Sequence, residues 1–213
     1  MHGSSSLLST FVTLFVTIGP IETAVIFAGL TTGIHHAERL SLSLRSVAIA
    51  GLMLLLFAVG GNTVLSLLHV SLPAFRVAGG MLLFLQALTL TFSSPGLSSI
   101  NDRERQDAEK AGDIAVFPLA FPLIASPGAL SAVVLLTGRA EGWHEGATII
   151  AMIVLCLIIT YAAMRVADTL LRLLGQTGAD VVGRISGILL AGLAVQFILD
   201  GLRGEFPNAF GSA

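Results

Sequence analysis

Residues 7–30 read LLSTFVTLFVTIGPIETAVIFAGL, an apolar run interrupted once, at Gly19-Pro20, and charged once, at Glu22. A bilayer core about 30 Å thick needs roughly 20 apolar residues in helical form, so this run is long enough to cross. No Lys or Arg precedes it and no A-x-A-like cleavage sequence follows, so it reads as the first span of the mature chain and not as a secretory leader. Proline lacks a backbone donor and clashes with the turn before it, so Pro20 divides the span into two half-helices.

Residues 114–138, IAVFPLAFPLIASPGALSAVVLLTG, repeat the design, with Ser126-Pro127 standing where Gly19-Pro20 stands and Pro118 and Pro122 bending the first half further. Four more apolar stretches run approximately over Ser46 to Leu68, Pro73 to Phe92, Gly146 to Met164 and Val181 to Leu202. The expected fold is an all-α membrane protein of six spans with broken first and fourth helices.

Composition agrees. Of 213 residues 54% are apolar and 11% charged, against about 25% charged in a soluble domain. The net charge of -2 leaves no nucleic-acid footprint. Charge concentrates in Asp102, Arg103, Glu104, Arg105, Asp107, Glu109, Lys110 and Asp113, a mixed-sign stretch that reads as a solvated linker. Cys156 is the single cysteine and permits neither an internal disulfide nor a CxxC metal site. Of the seven connections and tails, the second, fourth and sixth hold eight Lys or Arg and the others three. The positive-inside rule then places both termini on the periplasmic or extracellular side.

A shift of 107 or 108 residues superposes the halves. It pairs Gly19-Pro20 with Ser126-Pro127, and Arg76, Gly79, Leu82 and Leu85 with Arg184, Gly187, Leu190 and Leu193. Residues 1–92 then form a first three-helix repeat, 93–113 a charged cytoplasmic linker and 114–213 a second repeat. Three spans per unit is odd, so the second copy is expected upside down, the pattern of many secondary transporters. In that arrangement the half-helices starting at Pro20 and Pro127 bring two positive dipole ends and free N–H groups to the midplane, a site for a carboxylate. The candidate binding residues are Gly19, Pro20, Ile21, Glu22, Thr23, Ser126, Pro127, Gly128 and Ala129. Glu22 has two readings: a first-turn cap of its own half-helix, or a group that takes a coupling proton or meets a substrate ammonium. Asn62, Gln86, Tyr161 and Gln196 are further in-span polar residues able to line a path or to bond between helices. Gly183, Gly187 and Ala191 recur every four residues and read as a close helix contact.

Enzymatic and metal readings find no support. His35, His36 and Glu38 fall in a connection expected on the opposite side of the membrane from His144 and Glu145. No GxxxxGK[ST], GxSxG or HExxH sequence is present.

Taken jointly, Gly19-Pro20-Ile21-Glu22-Thr23 with Phe27, Ser71-Leu72-Pro73-Ala74-Phe75-Arg76-Val77-Ala78-Gly79-Gly80, Phe117-Pro118-Leu119-Ala120-Phe121-Pro122, Ser126-Pro127-Gly128, Arg184-Ile185-Ser186-Gly187 and Gln196-Phe197-Ile198 resemble the MarC family of bacterial and archaeal inner-membrane proteins. That family is similar to the LysE superfamily of amino-acid exporters. The resemblance covers almost the whole chain and implies six spans, an inner-membrane location and transport of small neutral amino acids of the glycine and alanine class. The chain departs from the family pattern in having Gly19 where Asn or Asp is usual, Ser126 where Gly is usual, and Glu22 where a small residue is frequent. The expectation is a secondary exporter or antiporter working by alternating access, without a resident cofactor, coupled to H+ or Na+ or to exchange. Its partners are an amino acid and the lipid bilayer; oligomeric state is left open. The alternatives are a non-transporting membrane assembly or stress-related protein, a channel, or efflux of another small carboxylate or a drug.

Overall fold

The computed structural model describes residues 2–31, 34–92, 113–140 and 142–206. The linker expected at 93–113 lies outside these, except for Asp113. Among the described residues eight helical elements follow one another: α1 His2–Ile18, α2 Pro20–Leu30, α3 His36–Leu67, α4 Leu72–Phe92, α5 Ala115–Ile124, α6 Pro127–Thr137, α7 Trp143–Arg165 and α8 Ala167–Glu205. No described residue is in a strand. Leu7–Leu30, α3, α4, α7 and Val181–Glu205 are each long and apolar enough to cross a bilayer, and α5 with α6 makes a sixth such stretch bent by 53°.

The first break is a one-residue reset. Gly19 takes the left-handed conformation (φ 62°, ψ 60°), which glycine adopts without a Cβ penalty. Its N–H closes α1 on the Phe15 carbonyl at 3.0 Å, and its carbonyl accepts from Thr23 N–H at 2.9 Å to open α2. The second break is longer. Phe117 and Phe121 are extended, as expected of residues that precede proline. Between and after them the chain makes wide turns, with Leu119 N–H on Ile114 O and Ala125 N–H on Ala120 O. Both Phe–Pro peptides are cis. The first half of the fourth span is therefore unwound, as its prolines imply. A further kink at Gly175 (φ 65°, ψ 174°) precedes the apolar part of α8.

In hydrocarbon every backbone and hydroxyl group needs an internal partner. Thr17, Thr31, Ser46, Thr91, Thr137 and Thr160 meet this by donating to carbonyls one turn earlier. Since lipid tails are as apolar as leucine, helix association rests on close packing. Gly80 lies against Ala194 and Ile198, Gly187 against Ala87 and Thr91, and Gly201 against Pro73 and Val77, which clamps α4 onto α8. Gly183 departs from the expected contact: no described residue lies within 4 Å of its Cβ position, because the antiparallel register that sets Gly187 against Ala87 and Thr91 carries Gly183 past Phe92, where α4 ends. Residues Gly128 to Leu135 are all buried, making α6 the central element. Large side chains such as Leu52, Val59, Leu67 and Ile188 point outward, as a lipid-facing surface requires.

Polar contacts order the two ends of the bundle. Arg39 near the start of α3 holds Asp168 at the start of α8 through two bonds of 2.6 and 2.9 Å, and Arg45 holds Asp113 before α5 at 2.6 Å. At the other end Ser71 donates to Glu205 at 2.8 Å, and Arg139 pairs with Asp200 at 3.6 Å. The starts of α3, α5 and α8 thus share one face, and the start of α4 lies with the ends of α6 and α8 on the other.

Candidate functional site

The two breaks meet. Ser126 Oγ donates to the Thr17 carbonyl at 3.4 Å, two residues before Gly19, so the first turns of α2 and α6 lie at one level of the bundle. A cavity of about 340 Å³ between α2, α4 and α5 reaches both of them.

The polar lining residues of this cavity are Glu22 and Thr23 of α2, Gln86 and Thr89 of α4, and Ser126 at the start of α6. Ser126 is an N-cap in the strict sense. Its Oγ accepts from Ala129 N–H at 3.0 Å and its carbonyl from Leu130 N–H at 2.9 Å. The first turns of α2 and α6 begin with prolines that donate nothing, and the N–H groups that follow, Ile21 and Gly128 among them, have no acceptor within their own helices. We predict that Ser126→Ala lowers stability by about 1 kcal/mol while Ser126→Gly costs only a few tenths. Thermal unfolding of the two purified variants in one detergent checks this.

Glu22 occupies the third position of α2, where a glutamate can reach back to the N-cap N–H. That donor is already given to Phe15. The carboxylate lies over Gly19, with Oε2 2.9 Å from where a Cβ at position 19 would be, and Oε1 is buried without a hydrogen bond to any described residue. Thr23 Oγ1 is likewise buried and unpartnered, unlike the threonines that bond back along their helices. A buried polar group without a partner costs about 1–3 kcal/mol, more when charged. Two of them side by side on a cavity wall are a built feature, and the reading of Glu22 as a helix cap does not account for them.

The sequence-selected residues separate into two groups. Glu22, Thr23, Ser126, Pro127 and Gln86 line the cavity. Gly128 lies just behind it, where an added Cβ would run into Leu83 and come within 3.2 Å of Gln86 Oε1, and Ala129 contributes its N–H to the cap. Gly19, Pro20 and Ile21 set the break beneath Glu22. The other polar candidates lie elsewhere. Asn62 is exposed beside Gly138 at the far end of α6, Tyr161 accepts from Arg165 at 3.3 Å, and Gln196 donates to Asp200 at 2.8 Å on the outer side of α8. None of the three lines the cavity, and Tyr161 and Gln196 are taken up by neighbours on their own helices. Thr89, Phe117, Pro118 and Pro122 line the cavity without having been selected from sequence as site residues. Thr89 lies one turn from Gln86, and the Phe-Pro pairs repeat every four residues, so both signals were present. Among the described residues no three His, Cys, Asp or Glu side chains are grouped to hold a metal.

Comparison with known proteins gives a consistent result. Residues 4–206 match a family described as "MarC family integral membrane protein". A "UPF0056 membrane protein" of Archaeoglobus fulgidus is 34% identical over 198 residues, covering 91% of this chain and 91% of the relative. "UPF0056 membrane protein YhcE" of Escherichia coli is 31% identical over 93% of this chain and 92% of its own length. "UPF0056 membrane protein YvbG" of Bacillus subtilis is 30% identical over 95% and 97%. No solved structure matches the chain.

Proposed function

Because this chain belongs to the MarC family of integral membrane proteins, we propose that it is a secondary transporter, an exporter or antiporter, of small neutral amino acids of the glycine and alanine class, working by alternating access and not by catalysis. The observation that carries this reading is the meeting of two half-helix starts at one cavity whose wall holds the unpartnered oxygens of Glu22 and Thr23. An amino acid brings both complements. Its ammonium answers Glu22 and Thr23. Its carboxylate goes to α6, whose first turn contains no acidic residue, whereas the positive end of α2 is already answered by Glu22.

The arrangement of helix ends supports a pair of inverted repeats. α3 begins where α7 ends, α4 begins on the face where α8 ends, and the first span ends on the face where the fourth begins. Rocking of one repeat against the other about a fixed midplane site follows from such symmetry. We take the face carrying Arg39, Arg45 and Asp113 as cytoplasmic in a bacterial inner membrane, by the Lys and Arg content of the second, fourth and sixth connections. No phosphate-cradling loop is present in the sequence, so transport is coupled to an H+ or Na+ gradient or to exchange.

The test is counterflow. Purified protein in liposomes preloaded with unlabelled alanine should accelerate entry of labelled alanine in a saturable manner. Linear, non-saturating entry identifies a channel. No exchange across a panel of neutral amino acids, with the protein shown folded and inserted, removes the transport reading.

A further inference from the structure

Resting on the reading of this cavity as an amino-acid site, we infer that Gln86 is the residue that makes a free carboxylate a requirement: its side-chain amide and the backbone N–H of Gly128 form a two-point clamp for the ligand's carboxylate at the start of α6.

The first observation is what the start of α6 lacks. Among the described residues no Lys, Arg or His lines the cavity, so a carboxylate held there depends on neutral donors. Pro127 has no N–H to give. The Ala129 N–H is given to Ser126 Oγ and the Leu130 N–H to the Ser126 carbonyl. The Gly128 N–H is left, and the free N–H groups of a helix point out of its N-terminal end. One such donor serves one oxygen, whereas a carboxylate has two oxygens and about four acceptor positions.

The second is a further donor beside it. Gln86 Oε1 lies 3.2 Å from the Cβ position of Gly128, so the carboxamide reaches from α4 to the first turn of α6. It lines the cavity and makes no hydrogen bond with any described residue. The hydroxyls of the lining are placed otherwise. Thr89 Oγ1 donates to the Leu85 carbonyl at 3.1 Å and Ser126 Oγ to that of Thr17, while Thr23 Oγ1, fully buried and unpartnered, stands beside Glu22 on α2. An amide carries two N–H donors and one acceptor oxygen, and a half-turn about its terminal bond exchanges them. A carboxylate at the start of α6 therefore turns Gln86 Nε2 toward Gly128.

The third is the difference between the halves. The shifts of 107 and 108 residues take Glu22 to Ala129 and Gln86 to Ala194. Ala194 is fully buried against Gly80 in the seam between α4 and α8. The acid serves only the start of α2 and the amide only the start of α6. Two half-helix starts that are otherwise alike are thus made unlike, and a ligand with an ammonium at one end and a carboxylate at the other has a single orientation between them.

Titration calorimetry on the purified full-length chain in nanodiscs tests this with alanine and alaninamide, in which a neutral amide replaces the carboxylate. Hydrogen bonds to a charged group are about twice as strong as neutral ones, so the wild type should bind alanine at least tenfold more tightly. Gln86→Ala should weaken alanine at least tenfold and reduce that preference to about threefold or less. Gln86→Glu sets a carboxylate against a carboxylate and offers an acceptor to the amide N–H groups of alaninamide. Alanine should weaken by at least about a hundredfold and alaninamide become the tighter ligand, which also shows the variant folded. Gln86→Asn, a milder change that draws the amide back by one methylene, should weaken alanine more than alaninamide. Gln196→Ala, away from the cavity, should change neither affinity. Equal weakening of both ligands in Gln86→Ala makes Gln86 a piece of wall and overturns the inference while the transport reading stands, as does Gln86→Glu with the wild-type preference for alanine. Alaninamide binding to the wild type as tightly as alanine overturns the clamp, and binding of neither ligand to the wild type removes the underlying site.

Discussion

Replacing Glu22 with glutamine should reduce amino-acid uptake at low substrate by at least about thirtyfold while leaving the protein folded. The substitution keeps the side chain's shape and removes its charge. Truncating or neutralising one partner of a buried charge pair costs about 2–5 kcal/mol in binding. Glutamine can still accept one hydrogen bond, so the expected loss lies toward the lower end of that range, and Glu22→Ala should lose more. Position 19 offers an internal control. The Glu22 carboxylate lies where a side chain at position 19 would stand. A residue with φ 62° tolerates Gly, Asn or Asp better than other types. A side chain at position 19 and that of Glu22 compete for one space. Gly19→Asp in a Glu22→Ala background should therefore recover at least tenfold of the uptake lost in Glu22→Ala alone. A folded but equally inactive double variant would show that a carboxylate at this level is not what the site requires. If Glu22→Gln retains transport with the wild-type pH dependence, Glu22 carries no coupling proton.

The second large effect is on stability. Gly128→Leu should lower the unfolding temperature sharply and abolish transport, because a Cβ there collides with Leu83, itself fully buried between α4 and α8, and crowds Gln86. Overpacking of a well-filled site costs about 1–3 kcal/mol, occasionally more. α6 is enclosed along its length and has nowhere to retreat. Gly192→Ala is the matching control. Nothing lies within 4 Å of its Cβ position and it is exposed, so its effect should stay within about 0.5 kcal/mol. Thermal unfolding of both variants in the same detergent separates close helix packing from a general intolerance of glycine replacement.

Much of this protein is written locally in its sequence. The spans follow from unbroken apolar length, because the bilayer core has a fixed thickness. The breaks at Gly19-Pro20 and Ser126-Pro127 follow from the missing donor of proline. The unwinding of α5 follows from Phe117 and Phe121 preceding prolines. Glu22 stands out as a candidate site residue because a carboxylate inside an apolar span is costly. Each of these is a property of a few adjacent residues. Which polar residues share the cavity was decided only in three dimensions. Gln86 and Gln196 are both in-span glutamines, yet one lines the cavity with Glu22 and the other bonds to Asp200. Tyr161 likewise finds its partner, Arg165, away from the site, and Asn62 stands exposed near the end of α6. In a soluble helix an apolar stripe tells which side faces inward. In a membrane the surroundings are as apolar as the core, and the rotation of each helix about its axis is set by how small and large side chains fit against distant neighbours.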